Sequence, residues 1–232
     1  MDPGKYLNMT FEEALEKSYS KYTQKGPRSP EKLKPLHGWF AEALKNRLDT
    51  QRYIVQDLNS PGGEAQLEGR YFPKRVDIAI FTRLSSGEPM REPIVAISIR
   101  FIGSNFKQNA NNYFENLLGE CANLRRKRIG FAHFLVLPLS LPYKKRSGDI
   151  KHYEEIEETT LSKYFLLYED DEHPHRPDVL GLALVKIEPE SNQNKISVCI
   201  PGDFSSRAQD YLRELSVEVF LRRVVGLYEL KA

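Results

Sequence analysis

The chain has 232 residues, 40% hydrophobic and 28% charged, and a net charge of +2, which fits one sizeable domain with a real core and argues against a general electrostatic coat for DNA. No stretch approaches the roughly 20 apolar residues of a membrane span, and the opening MDPGKYLNMTFEEALEK has no basic segment leading into an apolar run. Two distant cysteines, Cys121 and Cys199, exclude a disulfide framework and a Cys-based zinc site, so a cytoplasmic protein without membrane association is expected.

Thr10 followed by Glu13 is a capping-box pattern and predicts a helix to about Tyr22. Gly26-Pro27-Arg28 reads as a linker. Ser29-Pro30-Glu31-Lys32 predicts the start of a second helix, with Leu36, Phe40, Leu44 and Leu48 along its buried stripe. The period then changes to strands at 52–57, 64–70, 75–82 and 93–102, with a turn at 59–63. A helix follows at 108–126. Phe131 to Leu139 is an apolar run typical of a strand buried on both faces. A polar helix is predicted at 149–170, broken by Glu172-His173-Pro174-His175-Arg176-Pro177. A hairpin at 179–188 and 195–200 and a last helix from Phe204 to Leu227 complete the chain. This order predicts an α/β fold with a central mixed β-sheet flanked by α-helices. It divides into an N-terminal helical segment (1–28), a core (29–148) and C-terminal helices and a hairpin that complete the domain (149–232).

The residues able to carry chemistry lie between Lys74 and Arg128. In the strand at 75–82, alternation sets Val76, Ile78 and Ile80 on one face and Asp77 with Ala79 on the other. A carboxylate inside an apolar strand is costly unless it is paired or holds a cation. In the strand at 93–102 the same alternation separates Val95, Ile97, Ile99 and Phe101 from Ser98 and Arg100. If the two strands pair, Asp77, Ser98 and Arg100 meet.

That pattern resembles the PD-(D/E)xK, or restriction-endonuclease-like, nucleases. Their signature is an Asp at the start of one strand, then an acid, any residue and Lys on the next. The resemblance implies a restriction-endonuclease-like core in which acids hold Mg²⁺ (or Mn²⁺) against a phosphodiester. Asp77 fits the first position. Ser98 stands where the second acid is expected, and Arg100 where the Lys is expected. Some restriction enzymes carry Ser there and supply a Glu from the following helix, which here offers Glu115 and Glu120. At about 100° per residue, Tyr113, Leu117, Glu120 and Leu124 share one helix stripe. Glu120 is therefore favoured by burial, and Glu115 by its spacing from Arg100. Arg100 can stabilise an anionic phosphate but cannot serve as a base, and Lys74 or Lys107 can substitute for the missing Lys in space. A second likeness, to bacterial restriction-endonuclease-like proteins that usually have Lys at the position of Arg100, covers roughly residues 29–140. It is carried by Lys74-Arg75-Val76-Asp77 and Ile97-Ser98-Ile99-Arg100-Phe101 joined to the Asn-rich helix from Asn109 to Glu120, with Ser29 to His37 and Gly69-Arg70-Tyr71-Phe72 upstream in the same pattern.

Asn112 and Asn116 read as groups that touch the site or a nucleic acid, and Asn109 as a cap. Lys107, Arg125, Arg126, Arg128, Lys144 and Lys145 are candidate phosphate contacts. His173 and His175 read as solvated. His37 reads as a satisfied structural histidine. Glu64, Gln66 and Glu68 would share the solvated face of one strand, with Glu68 the better candidate for an extra metal ligand. The expected function is metal-dependent DNA cleavage in a prokaryotic restriction or anti-phage defence system, by a homodimer or larger assembly. The alternatives are a catalytically silent nuclease-fold subunit that binds DNA or a partner protein, and an interaction module without a nucleic-acid role.

Overall fold

The first helix, α1 (Phe11–Lys25), begins where Thr10 Oγ1 accepts the Glu13 N–H and the Glu13 carboxylate accepts the Thr10 N–H, so two otherwise orphaned donors are satisfied reciprocally. The computed structural model describes residues 8–26, 29–170, 175–189 and 194–229. Pro27, Arg28, Glu172, His173 and Pro174 lie outside the described residues, so most of the linker and of the His-Pro-His segment do too.

Ser29 does not open the second helix. Pro30–Lys32 forms a 3-10 turn, and α2 runs from Lys34 to Lys45. The cause is Pro35, which would lack a donor and clash one turn back if a helix begun at Pro30 ran through it, yet is harmless in the first turn of a helix begun at Lys34. The predicted stripe holds: Leu36, Phe40, Leu44 and Leu48 are all buried.

Six strands form one mixed sheet in the order β1 (Tyr53–Asp57), β4 (Ile78–Thr82), β5 (Val95–Phe101), β6 (Gly130–Pro138), β9 (Val179–Pro189) and β10 (Asn194–Val198). β4 runs antiparallel to both β1 and β5; β5, β6 and β9 are mutually parallel, and β10 returns antiparallel along β9. The crossover from β5 to β6 is α3 (Phe106–Arg125), and that from β6 to β9 contains α4 (Glu158–Glu169). Alternation along β6 splits the core. Ala132, Phe134 and Val136 face α1, α2 and α6 (Val217–Glu229), while Phe131, Leu135 and Leu137 face α3, α4 and α5 (Ser206–Glu214). Six α-helices among the described residues thus cover both faces of the sheet.

Gly181 on β9 is a contact the packing requires. A Cβ there would lie 2.2 Å from a Phe134 ring carbon and 2.7 Å from one of Phe220. Gly181→Ala is expected to lower stability by roughly 1–3 kcal/mol, as overpacking does, read as a shift in urea midpoint.

Four further predicted elements differ. The strand foreseen at 64–70 is only Gln66–Glu68 (β2), which pairs with Pro73–Arg75 (β3). The strand foreseen at 75–82 breaks at Val76-Asp77, so Val76 joins Ala79 on the α3 side rather than Ile78 and Ile80. The polar helix foreseen at 149–170 begins only at Glu158. Its first third is β8 (Ile150–Glu155), a hairpin partner of β7 (Ser140–Lys144) across a turn with Gly148 at φ 96°. Asn105, in the left-handed region, exchanges two side-chain hydrogen bonds with the Lys144 backbone and ties this hairpin to the start of α3. The last helix splits at Leu215-Ser216, where the Leu215 carbonyl turns to accept the Leu182 N–H of β9.

Candidate metal centre

His37 is only 1% exposed on α2, and neither ring nitrogen has a hydrogen-bond partner. An orphaned buried donor or acceptor costs about 1–3 kcal/mol, so this imidazole is not the satisfied structural histidine that its sequence context suggested. Its Nε2 lies 4.0 Å from Asp77 Oδ1. Asp57, by contrast, is a buried carboxylate with its needs met, accepting from the Ser60 hydroxyl and the Asn59 amide.

Asp77 occupies the bend before β4. Ile78 lies opposite Ile97, so the next position along the ladder sets Asp77 against Ser98. With the strand bent away, the Asp77 carboxylate itself accepts the Ile99 N–H, Oδ2 to N 2.6 Å. Glu64 arrives from the bend before β2, outside the strand that was to have turned it to solvent, while Glu68 on β2 is exposed. His37, Glu64 and Asp77 each offer one ligand atom, all within 4.8 Å of one another, and among the described residues they are the one such group of three. Burial, and then the Asp77 charge, raise the Glu64 carboxyl above its ordinary value. Two carboxylates and an imidazole gathered this closely are what a divalent cation relieves. The donor set fits a metal ion on its own chemistry.

A second cluster adjoins the first along β5. Glu120 Oε1, on the buried stripe of α3, lies 2.5 Å from Lys74 Nζ and 2.9 Å from Arg100 Nη2. Lys74 comes from β3 and so reaches the same oxygen as the Arg that stands at the Lys position. Lys32 lies near enough that burial, and then the Arg100 charge, lower its ammonium pKa. A cavity of about 70 Å³ sits beside this cluster, lined by Arg100, Tyr113, Asn116, Glu120, His133 and Tyr164 among others. Ser98 is buried and faces His133 across the β5–β6 pair.

His133 has a measurable consequence. Burial, then the charges of Arg100 and Lys74, lower its pKa from 6.5 to about 3. The folded state keeps it neutral while the unfolded chain takes up a proton below its ordinary pKa. Its contribution to stability is therefore complete above pH 6.5 and is lost as pH falls toward about 3. Stability is therefore expected to fall with falling pH through that window. His133→Asn is expected to flatten the pH dependence of the urea midpoint there, and an unchanged slope would contradict the assignment.

The other sequence candidates divide. Glu120 is brought to Arg100, whereas Glu115 is exposed and acts on Lys163 of α4. Asn116 borders the cavity and Asn112 is exposed. Lys107 donates its backbone N–H to Glu154 and sets its ammonium 3.9 Å from Glu157, away from Glu120. Arg125 donates to the Arg176 carbonyl and pairs with Asp178, so it ties down the entry to β9. Arg126, Arg128 and Lys145 are exposed, and Lys144 lies over the Tyr22 ring at 5.3 Å. Two residues of the centre were misjudged from sequence. His37 lies on a legible buried stripe with Ala41, Leu44 and Leu48, which was the available signal. Nothing local marks the bend that turns Glu64 inward.

The chain matches no known protein family, no curated protein and no solved structure.

Proposed function

We propose that this chain is a metal-dependent endonuclease that cleaves DNA phosphodiester bonds on a PD-(D/E)xK-like core, with His37, Glu64 and Asp77 as metal ligands. The observation that carries the reading is the buried, unpartnered His37 imidazole facing two carboxylates. Nucleases of that superfamily often place a polar residue on the first core helix, which is where His37 stands. The position of Asp77 before one strand and of Ser98 and Arg100 on the next also supports it.

An imidazole in the ligand set favours Mn²⁺ over Mg²⁺, because Mg²⁺ prefers oxygen donors in near-ideal octahedral geometry. When bound, the ion polarises a phosphoryl oxygen and acidifies a coordinated water. Arg100 and Lys74 set two positive charges beside that position, where they neutralise charge developing on the phosphate. A guanidinium does not serve as a base, so of these two side chains Lys74 is the one whose chemistry allows proton transfer. Glu120 is a positioning residue that holds both cations.

Cleavage of supercoiled plasmid in Mn²⁺ tests this reading. Arg100→Ala and Lys74→Ala are each expected to slow it by roughly 10²–10³-fold, as loss of one charge-stabilising donor does, with Mn²⁺ affinity unchanged. Equal rates in all three proteins would remove these cations from the chemistry. One observation favours a second reading, a silent subunit that binds DNA: Glu120, Lys74 and Arg100 already satisfy one another. Under it the wild type binds DNA and never cuts, in Mn²⁺ or Mg²⁺. A role in prokaryotic defence and a homodimeric assembly rest on the family resemblance alone.

A further inference from the structure

The loop between β2 and β3 shows two large rings to solvent, Tyr71 at 68% and Phe72 at 48% exposure. It is not held loosely. The fully buried Asn123 side chain of α3 accepts the Tyr71 and Phe72 N–H groups at 2.9 and 3.3 Å and donates to the Phe72 carbonyl at 3.0 Å. The Asn123 carbonyl accepts the Arg70 N–H at 2.9 Å. At Gly69 the backbone presses so closely on Asn123 that a Cβ would lie 2.0 Å from Nδ2. Four hydrogen bonds and one obligatory glycine thus fix the backbone of a loop whose side chains point at nothing in the chain's core.

Exposed aromatic pairs on a fixed backbone mark binding surfaces, and the neighbours say for what. The run is Arg70-Tyr71-Phe72-Pro73-Lys74-Arg75, with Arg70 and Arg75 exposed and Lys74 turned inward to Glu120 beside Arg100. Cations on both sides of the rings suit a polyanion that also offers flat faces, which is a nucleic-acid strand. Phe72 stands two residues before Lys74 in the chain, so the rings and the cation cluster belong to one short segment.

We propose that Tyr71 and Phe72 form a stacking platform for an unstacked base of the DNA strand whose phosphate lies at the Lys74–Arg100 cluster. This rests on the nuclease reading above. The platform binds a base face without reading its identity, and Asn123 is the residue that positions it.

The test is binding of fluorescein-labelled single-stranded DNA, by anisotropy in EDTA so that no strand is cut, across a salt titration. Tyr71→Ala and Phe72→Ala are expected to weaken binding by roughly 10-fold or more each while leaving the salt slope unchanged, because no phosphate contact is lost. Phe72→Trp is expected to restore affinity, and melting curves check that each variant folds. Wild-type binding that both alanine variants match overturns the platform and leaves the nuclease reading standing. No DNA binding by the wild type at any salt, either in EDTA or with Ca²⁺ in place of Mn²⁺, overturns both. Self-association of the wild type that Tyr71→Ala and Phe72→Ala abolish, with DNA affinity unmoved, assigns the rings to a protein interface and also overturns the proposal.

Discussion

His37→Leu is expected to be more stable than the wild type without metal, and to bind Mn²⁺ at least ~100-fold more weakly. Both effects follow from one residue. The wild-type imidazole is buried with both nitrogens unpartnered, a deficit of about 1–3 kcal/mol that a leucine of similar bulk removes. The same substitution takes one of three donors from a centre whose ligand atoms lie within 4.8 Å of one another. Loss of a supporting residue alone typically costs 10–100-fold in metal affinity, and a ligand is worth more. Thermal unfolding with and without Mn²⁺ reads both signs. The wild type is expected to gain stability with rising Mn²⁺ as mass action requires, and His37→Leu to start higher and gain little. A lower starting stability in His37→Leu would show that the imidazole is satisfied in solution and that the centre is ordinary core.

The second large effect lies in packing. The Phe134 ring of β6 has its centroid 5.0 Å from Phe40, 5.0 Å from Phe220 and 5.9 Å from Phe11, so one side chain joins α2, α6 and α1 to the sheet. Phe134→Ala is expected to cost about 3–5 kcal/mol, the range for a buried aromatic whose cavity cannot collapse. The denaturation midpoint should fall with an unchanged slope. The substitution also tests how the centre is built. α2 carries His37, so Mn²⁺ affinity should fall with stability in Phe134→Ala, whereas Gly181→Ala, which presses on the same ring from β9, should disturb it less. A loss under about 1 kcal/mol in Phe134→Ala would mean that the helices hold their places without this ring.

What the sequence disclosed follows the range of the forces involved. The stripe from Leu36 to Leu48 and the apolar run of β6 were legible because burial repeats at the period of the element. So was the Thr10 capping box, which acts within one turn. The 3-10 turn at Pro30 was legible in principle, since Pro35 alone forbids a helix through it. The β7–β8 hairpin was not. Ile150–Glu155 is mostly exposed and its pairing depends on the preceding strand, so polar alternation there was taken for a helix. The centre divides in the same way. Asp77, Arg100 and Glu120 stood out as charges within apolar patterns. Glu64 did not, because it sits in a bend outside β2, between a Gly63 carbonyl that accepts the Gln56 amide and an Ala65 carbonyl that accepts the Val76 N–H, where strand alternation does not apply. The meeting of Lys74 with Arg100 on Glu120 likewise needed the β2–β3 pair to exist.

The proposal that His37, Glu64 and Asp77 hold a metal that serves DNA cleavage is tested most directly by plasmid cleavage with purified protein beside Asp77→Asn. Asn keeps an oxygen for the Ile99 N–H while surrendering the charge that a cation needs. The expected result is Mn²⁺-dependent nicking or linearisation by the wild type, weaker in Mg²⁺, absent in EDTA and lost in a folded Asp77→Asn protein. Cleavage that survives in Asp77→Asn, or a wild type that binds both Mn²⁺ and DNA and leaves every plasmid intact, would contradict it.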